Sequence, residues 1–454
     1  MSVSISYDQQ HKLTISGIAC DCGLSHQLPT QDIYVGSGIV KNAPAYIQKR
    51  NLGTRCVLAA DNNTWPLAGK ALAEALESEG FSVIRCVITR DGVMDPDERA
   101  CGEVLLSIQP DTEFLIAVGS GSITDTVRVN AARCKLPFVS VGTAPSMDGY
   151  TSVVAPLLLR SVKIHRAGPC PEIILCDTEL LRTAPLSMVC SGVGDVLGKY
   201  IAKADWMLGS IINEETYCDV CGEIVTGAVT KLLENVDLIR SRTEEGIRVL
   251  IEALLLSGVT IMIAGQTRAV ASVEHNIAHY WEMMQLLHGQ HPPAHGASVG
   301  VATLLCWPLF TRFAQEDLSK LDIEAIKAKR ISREERERWM LTAFETEAAQ
   351  SIMRENPEDF LSWDEQLRRI RTAQARQQEI RDAIALLPPL ETIRSAMQRL
   401  GALTTPAECG IDSKLLNLSM HCAKDYRSRY TLFKLIAECG LEDEYLSAYP
   451  YQRA

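Results

Sequence analysis

The first 180 residues alternate between short apolar runs and amphipathic stretches. Apolar runs of strand length occur at residues 54–61, 82–87, 113–118, 138–141 and 172–176. Helical periodicity fills the intervals at residues 65–79, 98–108 and 124–134, and Gly80 ends the first of these helices. Strands that alternate with helices of this length predict βαβ units and a parallel sheet covered on both faces.

From about residue 185 the pattern becomes helical throughout. Helical periodicity runs through residues 195–208, 215–236, 243–264, 272–287, 300–314, 386–401 and 414–439. Residues 332–382 are rich in Glu, Arg and Gln, and their alternating charges predict an exposed helical excursion. We therefore predict an α/β domain of residues 1–184, an all-helical domain of residues 185–454, and a cleft between them.

Composition and charge narrow the possible classes of function. The chain has 454 residues and a net charge of −11, which argues against a nucleic-acid or anionic-membrane partner. The apolar run at residues 249–263 contains Glu252 and predicts a buried helix rather than a membrane span. The N-terminus shows no signal region, and the 15 cysteines form no repeating framework. We therefore expect a cytoplasmic protein with free thiols.

Two groups of cysteines have spacings found in metal sites. Cys218 and Cys221 fall on a predicted helix, where two thiols packing one turn apart are the alternative to a metal. Cys20, Cys22 and His26 form a denser group, which could ligate a metal or mark a tight turn closed by Gly23. For both groups we favour the simpler interpretation, packed thiols and a tight turn.

A glycine-containing loop follows the third predicted strand. Gly119, Ser120 and Gly121 would let the backbone approach a pyrophosphate, whose charge would face the free N–H groups of the next helix. Thr124 stands where the G-x-G-x-x-G fingerprint has its third glycine. A plain β–α turn with Ser122 as N-cap is therefore the alternative.

A second loop strengthens the prediction of a cofactor site. It contains the residues Thr143, Ala144, Pro145, Ser146 and Asp148, directly after the next strand. Both loops lie at carboxyl ends of strands, where open α/β sheets bind ligands. Asp61, at the end of an earlier strand, is either an acceptor for an adenosine ribose or a solvated turn residue.

Histidines and one acid predict a metal site. His275 and His279 are spaced i and i+4, so a helix places them on one face. His295 lies at the mouth of the next predicted helix, and Asp195 at a glycine-flanked helix start. One carboxylate with two or three imidazoles suits a divalent ion that keeps a position open for substrate. Chance spacing in a histidine-rich segment is the alternative.

These motifs occur in the order found in the glycerol-1-phosphate dehydrogenases, which the chain resembles over nearly its whole length. Those enzymes belong to the iron-containing alcohol dehydrogenase and dehydroquinate synthase superfamily. The segments around Cys20 and around Arg427 and Arg429 resemble the bacterial branch. The resemblance implies a Rossmann-like dinucleotide-binding domain, an all-α metal- and substrate-binding domain, NAD or NADP, one zinc or nickel ion, and a homodimer.

Position by position, the resemblance implies Asp195, His275 and His295 as metal ligands. Asp148 and His279 would contact substrate together with Asp195, and Asp195 and His279 would be catalytic. The implied cofactor contacts are Asp61, Gly119, Gly121, Ser122, Ile123, Thr124, Asp125, Thr143, Ala144, Pro145, Ser146 and Ser152.

Two departures from the family pattern stand out. Ser120 replaces the usual middle glycine of the loop. The gap after His275 is also lengthened, so His288 competes with His295 as third ligand. We prefer His295 because the motif around Val299 follows it in register.

The implied reaction interconverts dihydroxyacetone phosphate and sn-glycerol 1-phosphate. The metal would act as a Lewis acid at the C2 oxygen, hydride would pass to or from the nicotinamide, and His279 would relay a proton. Lys199, Arg427 and Arg429 are candidate phosphate contacts, with a surface ion pair as the alternative for each. A dehydroquinate synthase-like lyase, a polyol (glycerol) dehydrogenase and a non-catalytic nucleotide-binding module are the alternative functions.

Overall fold

A computed structural model describes residues 4–16, 20–23, 26, 30–159, 162–356 and 360–450. The strands are β1 (Ser4–Tyr7), β2 (Leu13–Ser16), β3 (Asp32–Gly36), β4 (Arg55–Asp61), β5 (Ser82–Ile88), β6 (Phe114–Gly119), β7 (Phe138–Gly142), β8 (Val154–Leu159), β9 (Val162–Ala167) and β10 (Ile173–Asp177). The helices of the first part are α1 (Ala43–Lys49), α2 (Lys70–Ser78), α3 (Glu98–Ser107), α4 (Gly121–Cys134) and α5 (Thr178–Leu181).

The remaining described residues form helices, turns and loops without strands. The helices are α6 (Leu186–Leu197), α7 (Lys199–Asn213), α8 (Asp219–Glu234), α9 (Val236–Arg240), α10 (Glu244–Ala264), α11 (Val273–Leu287), α12 (His295–Phe313), α13 (Ile323–Ala328), α14 (Arg333–Phe344), α15 (Thr346–Glu355), α16 (Trp363–Ala375), α17 (Gln377–Ala385), α18 (Leu390–Leu400), α19 (Ser413–Cys422), α20 (Leu432–Glu438) and α21 (Glu442–Tyr445).

The central sheet has six strands in the order β3-β10-β7-β6-β4-β5, and all neighbouring pairs are parallel. Strands such as β6 are buried at every position, which explains their continuous apolar runs. One apolar cluster packs α1 and α2 on one face, and a second packs α3 and α4 on the other. The predicted parallel sheet with two covered faces is confirmed. The edge strand β3 and the hairpins β1–β2 and β8–β9 were not predicted.

The strand order reverses between β4 and β6. The chain runs from β4 outward to β5, and then returns to place β6, β7 and β10 on the other side of β4. The loops after β4, β6 and β7 therefore emerge at one edge of the sheet, beside the point of reversal. Ligands of open α/β sheets bind at such a point.

Two predicted helix starts are wrong, and both errors have one cause. Asp195 lies near the end of α6 rather than at a helix start, and α12 begins at His295 rather than at Gly300. The glycines were interpreted as helix boundaries, but they lie inside packed helices. A Cβ at Gly194 would collide with the backbone carbonyl of Gly296, so these glycines let α6 and α12 touch backbone to backbone.

The excursion at residues 332–382 is helical, as predicted, but it is not wholly exposed. Trp339, Phe344 and Ile370 are buried in the main apolar core. Helix α10 is long and apolar enough to cross a membrane by length and composition, yet 72% of its most apolar window is buried inside the structure. It is the core helix predicted for residues 249–263.

Candidate active site and metal centre

Three helices bring together the side chains of Asp195, His275 and His295, which we call the active-site cluster. They come from α6, α11 and α12, and one potential ligand atom from each lies within 4.8 Å of the others. His275 Nε2 is 3.4 Å from Asp195 Oδ1. The glycine contact between α6 and α12 is what allows Asp195 and His295 to approach so closely.

Each imidazole of the active-site cluster is backed by a carboxylate. His275 Nδ1 lies 2.6 Å from Glu274, and His295 Nδ1 lies 2.6 Å from Glu282. A carboxylate on Nδ1 fixes the tautomer that leaves Nε2 as a ligand atom. Burial lowers the pKa of His275, but hydrogen bonds to Asp195 and Glu274 outweigh burial and raise it. The donor set, one carboxylate and two oriented imidazoles, fits a divalent metal.

Lys199 lies between two carboxylates beside this cluster. Its ammonium is 2.7 Å from both Asp195 Oδ1 and Asp148 Oδ2, and the side chain is 1% exposed. Although burial opposes it, the pair of carboxylates raises the pKa of Lys199. Lys199 and His275 in turn hold the pKa of Asp195 well below its usual range. Lys199, a candidate phosphate contact from sequence, thus forms ion pairs with buried Asp195 and with partly exposed Asp148.

Asp148 connects the cofactor side of the structure to the active-site cluster. Its backbone N–H donates to Asp195 Oδ2 at 3.0 Å. Its own carboxylate accepts a hydrogen bond from Ser257 on α10 at 2.7 Å. Asp148 is therefore fixed from both sides, next to the active-site cluster.

His279 lies within a group of rings. Its centroid is 4.9 Å from that of His295 in a stacked arrangement, and 5.9 Å from those of Tyr426 and His165. His165 projects from β9 and was missed, because a single histidine in an unpredicted hairpin gives no sequence signal. Arg427 approaches the same place, with Nη2 3.4 Å from His165 Nε2.

Arg429 is engaged elsewhere. Its guanidinium donates to the backbone oxygen of Ala271 at 2.6 Å and also bonds Thr267. Burial and the nearby cations Arg427 and Arg268 lower the pKa of Arg429 to about 9. Of the two candidate arginines, Arg427 is the one that faces the histidines.

The loop after β6 presents an open helix end. Helix α4 begins at Gly121 with Ser120 as N-cap, so the predicted alternative with Ser122 as N-cap is wrong. Among the described residues, no side chain caps this helix. A Cβ at Gly121 would meet only Met147, 3.4 Å away, whereas one at Gly119 would collide with Ile123. Gly119 is required by packing, and Gly121 leaves the N–H groups accessible to an anion.

The two loops at the sheet edge are tied together. Ser120 Oγ is 2.6 Å from Ser146 Oγ, and the Thr143 N–H donates to the Gly119 oxygen at 3.2 Å. Ser191 on α6 donates to the Ser146 carbonyl at 2.9 Å and accepts the Gly296 N–H at 3.1 Å. The loops after β6 and β7 thus share one hydrogen-bonded junction with α6 and α12.

Several other residues implied as cofactor contacts are buried or bonded to other residues of the protein. Ile123 and Thr124 are buried, as is Ala144, and the Asp125 carboxylate pairs with buried Arg128. Ser152 Oγ bonds the backbone of Val154.

Asp61 and Pro145 are the two remaining residues that the resemblance implies at the cofactor site. Asp61 Oδ1 accepts the N–H groups of Asn63 and Thr64, which is the turn arrangement considered from sequence. Pro145 packs against Gly192 of α6.

The two competing histidines lie in different environments. His288 ends α11 with 57% of its side chain exposed and lies 3.1 Å from Glu345. His295 joins the active-site cluster.

A separate cavity of about 300 Å³ lies among the C-terminal helices. None of the implied ligand or cofactor residues lines it. Among its charged side chains, Arg336 pairs with Asp425 and Lys424 pairs with Glu442.

Comparison with known proteins places this geometry in context. Residues 34–185 match the family model described as iron-containing alcohol dehydrogenase. The chain is 33% identical over 325 residues to a glycerol-1-phosphate dehydrogenase (NAD(P)+) of Halalkalibacterium halodurans, covering 71% of this chain and 81% of that one. It is 31% identical to the enzyme of the same name from Geobacillus thermodenitrificans, covering 94% and 98%.

A solved structure shows the same fold. The NAD+ complex of sulfoacetaldehyde reductase from Bifidobacterium kashiwanohense aligns with a TM-score of 0.60 at 15% identity, covering 94% of this chain and 99% of that one. At that identity the likeness concerns the fold alone.

Proposed function

The chain belongs to the family of glycerol-1-phosphate dehydrogenases, and we propose that it interconverts dihydroxyacetone phosphate and sn-glycerol 1-phosphate with NAD(P)H in a metal-dependent reaction. The observation that carries the proposal is the active-site cluster, joined to the cofactor loops through Asp148 and Ser191. This junction would bring a metal, a nicotinamide and a substrate to one place. A cytoplasmic homodimer is part of the same proposal.

Asp195, His275 and His295 would hold the metal, which we propose to be zinc or nickel because imidazole and carboxylate donors suit both ions. Such an ion supplies Lewis-acid chemistry at the substrate carbonyl oxygen when it is bound. Glu274 and Glu282 orient the two imidazoles. Lys199 offsets the negative charge of the acids, which favours approach of an anionic substrate.

The cofactor, NAD or NADP, would lie along the edge formed by the ends of β4, β6 and β7. Its pyrophosphate would face the open N-terminus of α4, and Asp61 would accept from the adenosine ribose. The nicotinamide supplies or accepts the hydride when it is bound. The hydrogen bond between Ser120 and Ser146 links the two loops that would bind this cofactor.

His279 and Arg427 are two residues that we propose to contact the substrate. His279 stacks on His295 and is close enough to the ligands to exchange a proton with the substrate oxygen. Arg427, beside His165, is the proposed contact for the substrate phosphate. An acidic protein that binds an anionic substrate needs such a local cation.

The test is consumption of NADH and NADPH by the purified protein with dihydroxyacetone phosphate. We expect turnover that a chelator abolishes and a divalent metal restores. We also expect poor activity on unphosphorylated dihydroxyacetone, and an Arg427→Ala variant whose loss is confined to the phosphorylated substrate. Equal use of both ketones would indicate a polyol dehydrogenase. No net NAD(P)H consumption with either would contradict the proposal and favour a lyase or a non-catalytic module.

A further inference from the structure

The two cysteine groups that the sequence separates meet in the folded chain. Cys20, Cys22 and His26 lie against the start of α8, where Cys218 is the N-cap residue. We call these four residues the cysteine cluster. One ligand atom from each lies within 4.8 Å of all the others. The cluster draws on segments that are far apart in the chain, so local sequence does not account for it.

The measured separations are those of a small tetrahedral ion. Cys20 Sγ is 3.5 Å from Cys218 Sγ, and His26 Nε2 is 3.3 Å from Cys22 Sγ and 3.5 Å from Cys218 Sγ. Zinc with bonds of about 2.3 Å to sulfur and about 2.0–2.1 Å to nitrogen keeps its ligand atoms roughly 3.5–3.8 Å apart. These three separations match this spacing to within a few tenths of an ångström, and the other pairs of ligand atoms lie within 4.8 Å of each other.

The histidine tautomer also fits a metal. His26 Nδ1 is 2.9 Å from the backbone oxygen of Ile263, and a carbonyl oxygen can only accept, so Nδ1 carries the proton. Nε2 then has one lone pair, on which the sulfur atoms of Cys22 and Cys218 both converge. Two thiols cannot both donate fully to one lone pair, whereas a cation between the three atoms satisfies them all.

The backbone around the sulfur atoms is arranged to support thiolates. The Cys22 N–H donates to Cys20 Sγ, and the Cys221 N–H donates to Cys218 Sγ, each at 3.4 Å. Gly23 has φ of +81°, which glycine adopts readily. The backbone bends at Cys22 and Gly23, where a turn was expected from sequence.

We propose that the cysteine cluster binds one zinc ion as a structural site. Three sulfurs and one imidazole close a tetrahedral site, so no position remains for substrate. The ion would tie the segment around Cys20 to the start of α8 and, through His26, to Ile263 near the end of α10. Six residues before Ile263, Ser257 holds Asp148, so this clip would stabilise a helix that supports the active site.

Metal content and cobalt spectra test this proposal on the full-length protein. Wild type should carry one more metal equivalent than Cys20→Ser or Cys22→Ser, whose altered residues lie partly exposed. After growth in cobalt, wild type and His275→Ala should both show sulfur-to-cobalt charge-transfer absorption, because the active-site cluster has no sulfur. Cys20→Ser should lose that absorption and melt several degrees lower.

Cys134→Ser, a partly exposed thiol outside the cluster, is the matched control and should keep both metal and spectrum. The His275→Ala variant separates the two proposals, since its failure to turn over substrate leaves the cysteine site intact. Absence of the sulfur-to-cobalt band in wild type would overturn the proposal. Unchanged metal content in both serine variants, or a Cys20–Cys218 disulfide in place of metal, would overturn it equally.

Discussion

The active-site cluster and the cysteine cluster are both small groups of metal-ligating side chains, but they are supported in different ways. The first has three nitrogen and oxygen donors, and its imidazoles rest on the carboxylates Glu274 and Glu282. The second has four donors, and its one imidazole rests on a neutral carbonyl. Three donors leave a position for substrate, whereas four close the site.

The two clusters differ in the amount of buried charge that each requires. Carboxylates behind the imidazoles make them stronger donors, but they also require several buried charges to be balanced against each other. Lys199 is one of the groups that balance them. The cysteine cluster requires no such buried acids and can contribute directly to stability. On these two proposals, the metal of the active-site cluster would serve catalysis and that of the cysteine cluster would serve stability.

The largest effect is expected from His295→Ala. It removes a donor of the active-site cluster, so we expect loss of the active-site metal and a fall in turnover of about a thousand-fold or more, since Lewis-acid stabilisation is worth several kcal/mol. Metal analysis and initial rates check this. His288→Ala is the matched control, because His288 is 57% exposed and pairs only with surface Glu345 in the described contacts. The reverse ranking would make His288 the third ligand.

A smaller effect is expected from Glu282→Gln, which tests the carboxylate support itself. Glutamine keeps an oxygen acceptor for His295 but removes the charge, and loss of such a partner typically costs about 10–100-fold in metal affinity or activity. Competition with a chromophoric chelator measures the affinity. Glu345→Gln alters a Glu–His pair at the surface and should change nothing. Identical affinities in all three proteins would show that the carboxylate has no such role.

Much of the fold can be predicted from sequence because the spacing of apolar residues along the chain matches the positions that are buried in the structure. The parallel strands are buried on both faces and give continuous apolar runs, which cannot be mistaken for surface helices. The edge strand β3 (Asp32–Gly36) was not predicted, although β7 and β10 have the same length and were. Gly194 was misinterpreted because a glycine at a helix contact and a glycine at a helix end look alike in one sequence.

The candidate site was predictable where its residues share a helix or follow a strand. His275 and His279 could be grouped by their spacing, and Gly119 and Gly121 by their place after β6. The cysteine cluster could not, because its two halves meet only through tertiary packing.

The last expected effect is on stability rather than on metal binding or turnover, and it concerns the buried acid Asp205 on α7. Asp205 is fully buried, 2.5 Å from Ser272 Oγ and 2.7 Å from the Leu432 N–H. Burial raises its pKa to about 7, against these hydrogen bonds, which favour the carboxylate.

A raised carboxyl pKa stabilises the fold fully below the ordinary value near 4, and that contribution is lost as the pH rises through 7. The asparagine of the Asp205→Asn variant stays neutral at every pH. The free energy of unfolding of the variant should therefore rise relative to that of wild type across this range by the order of a few kcal/mol, at about 1.4 kcal/mol per pH unit. Melting temperatures from pH 4 to 8 measure the gap, with exposed Asp382→Asn as control. Parallel curves for wild type and Asp205→Asn would show that Asp205 is not protonated in the fold.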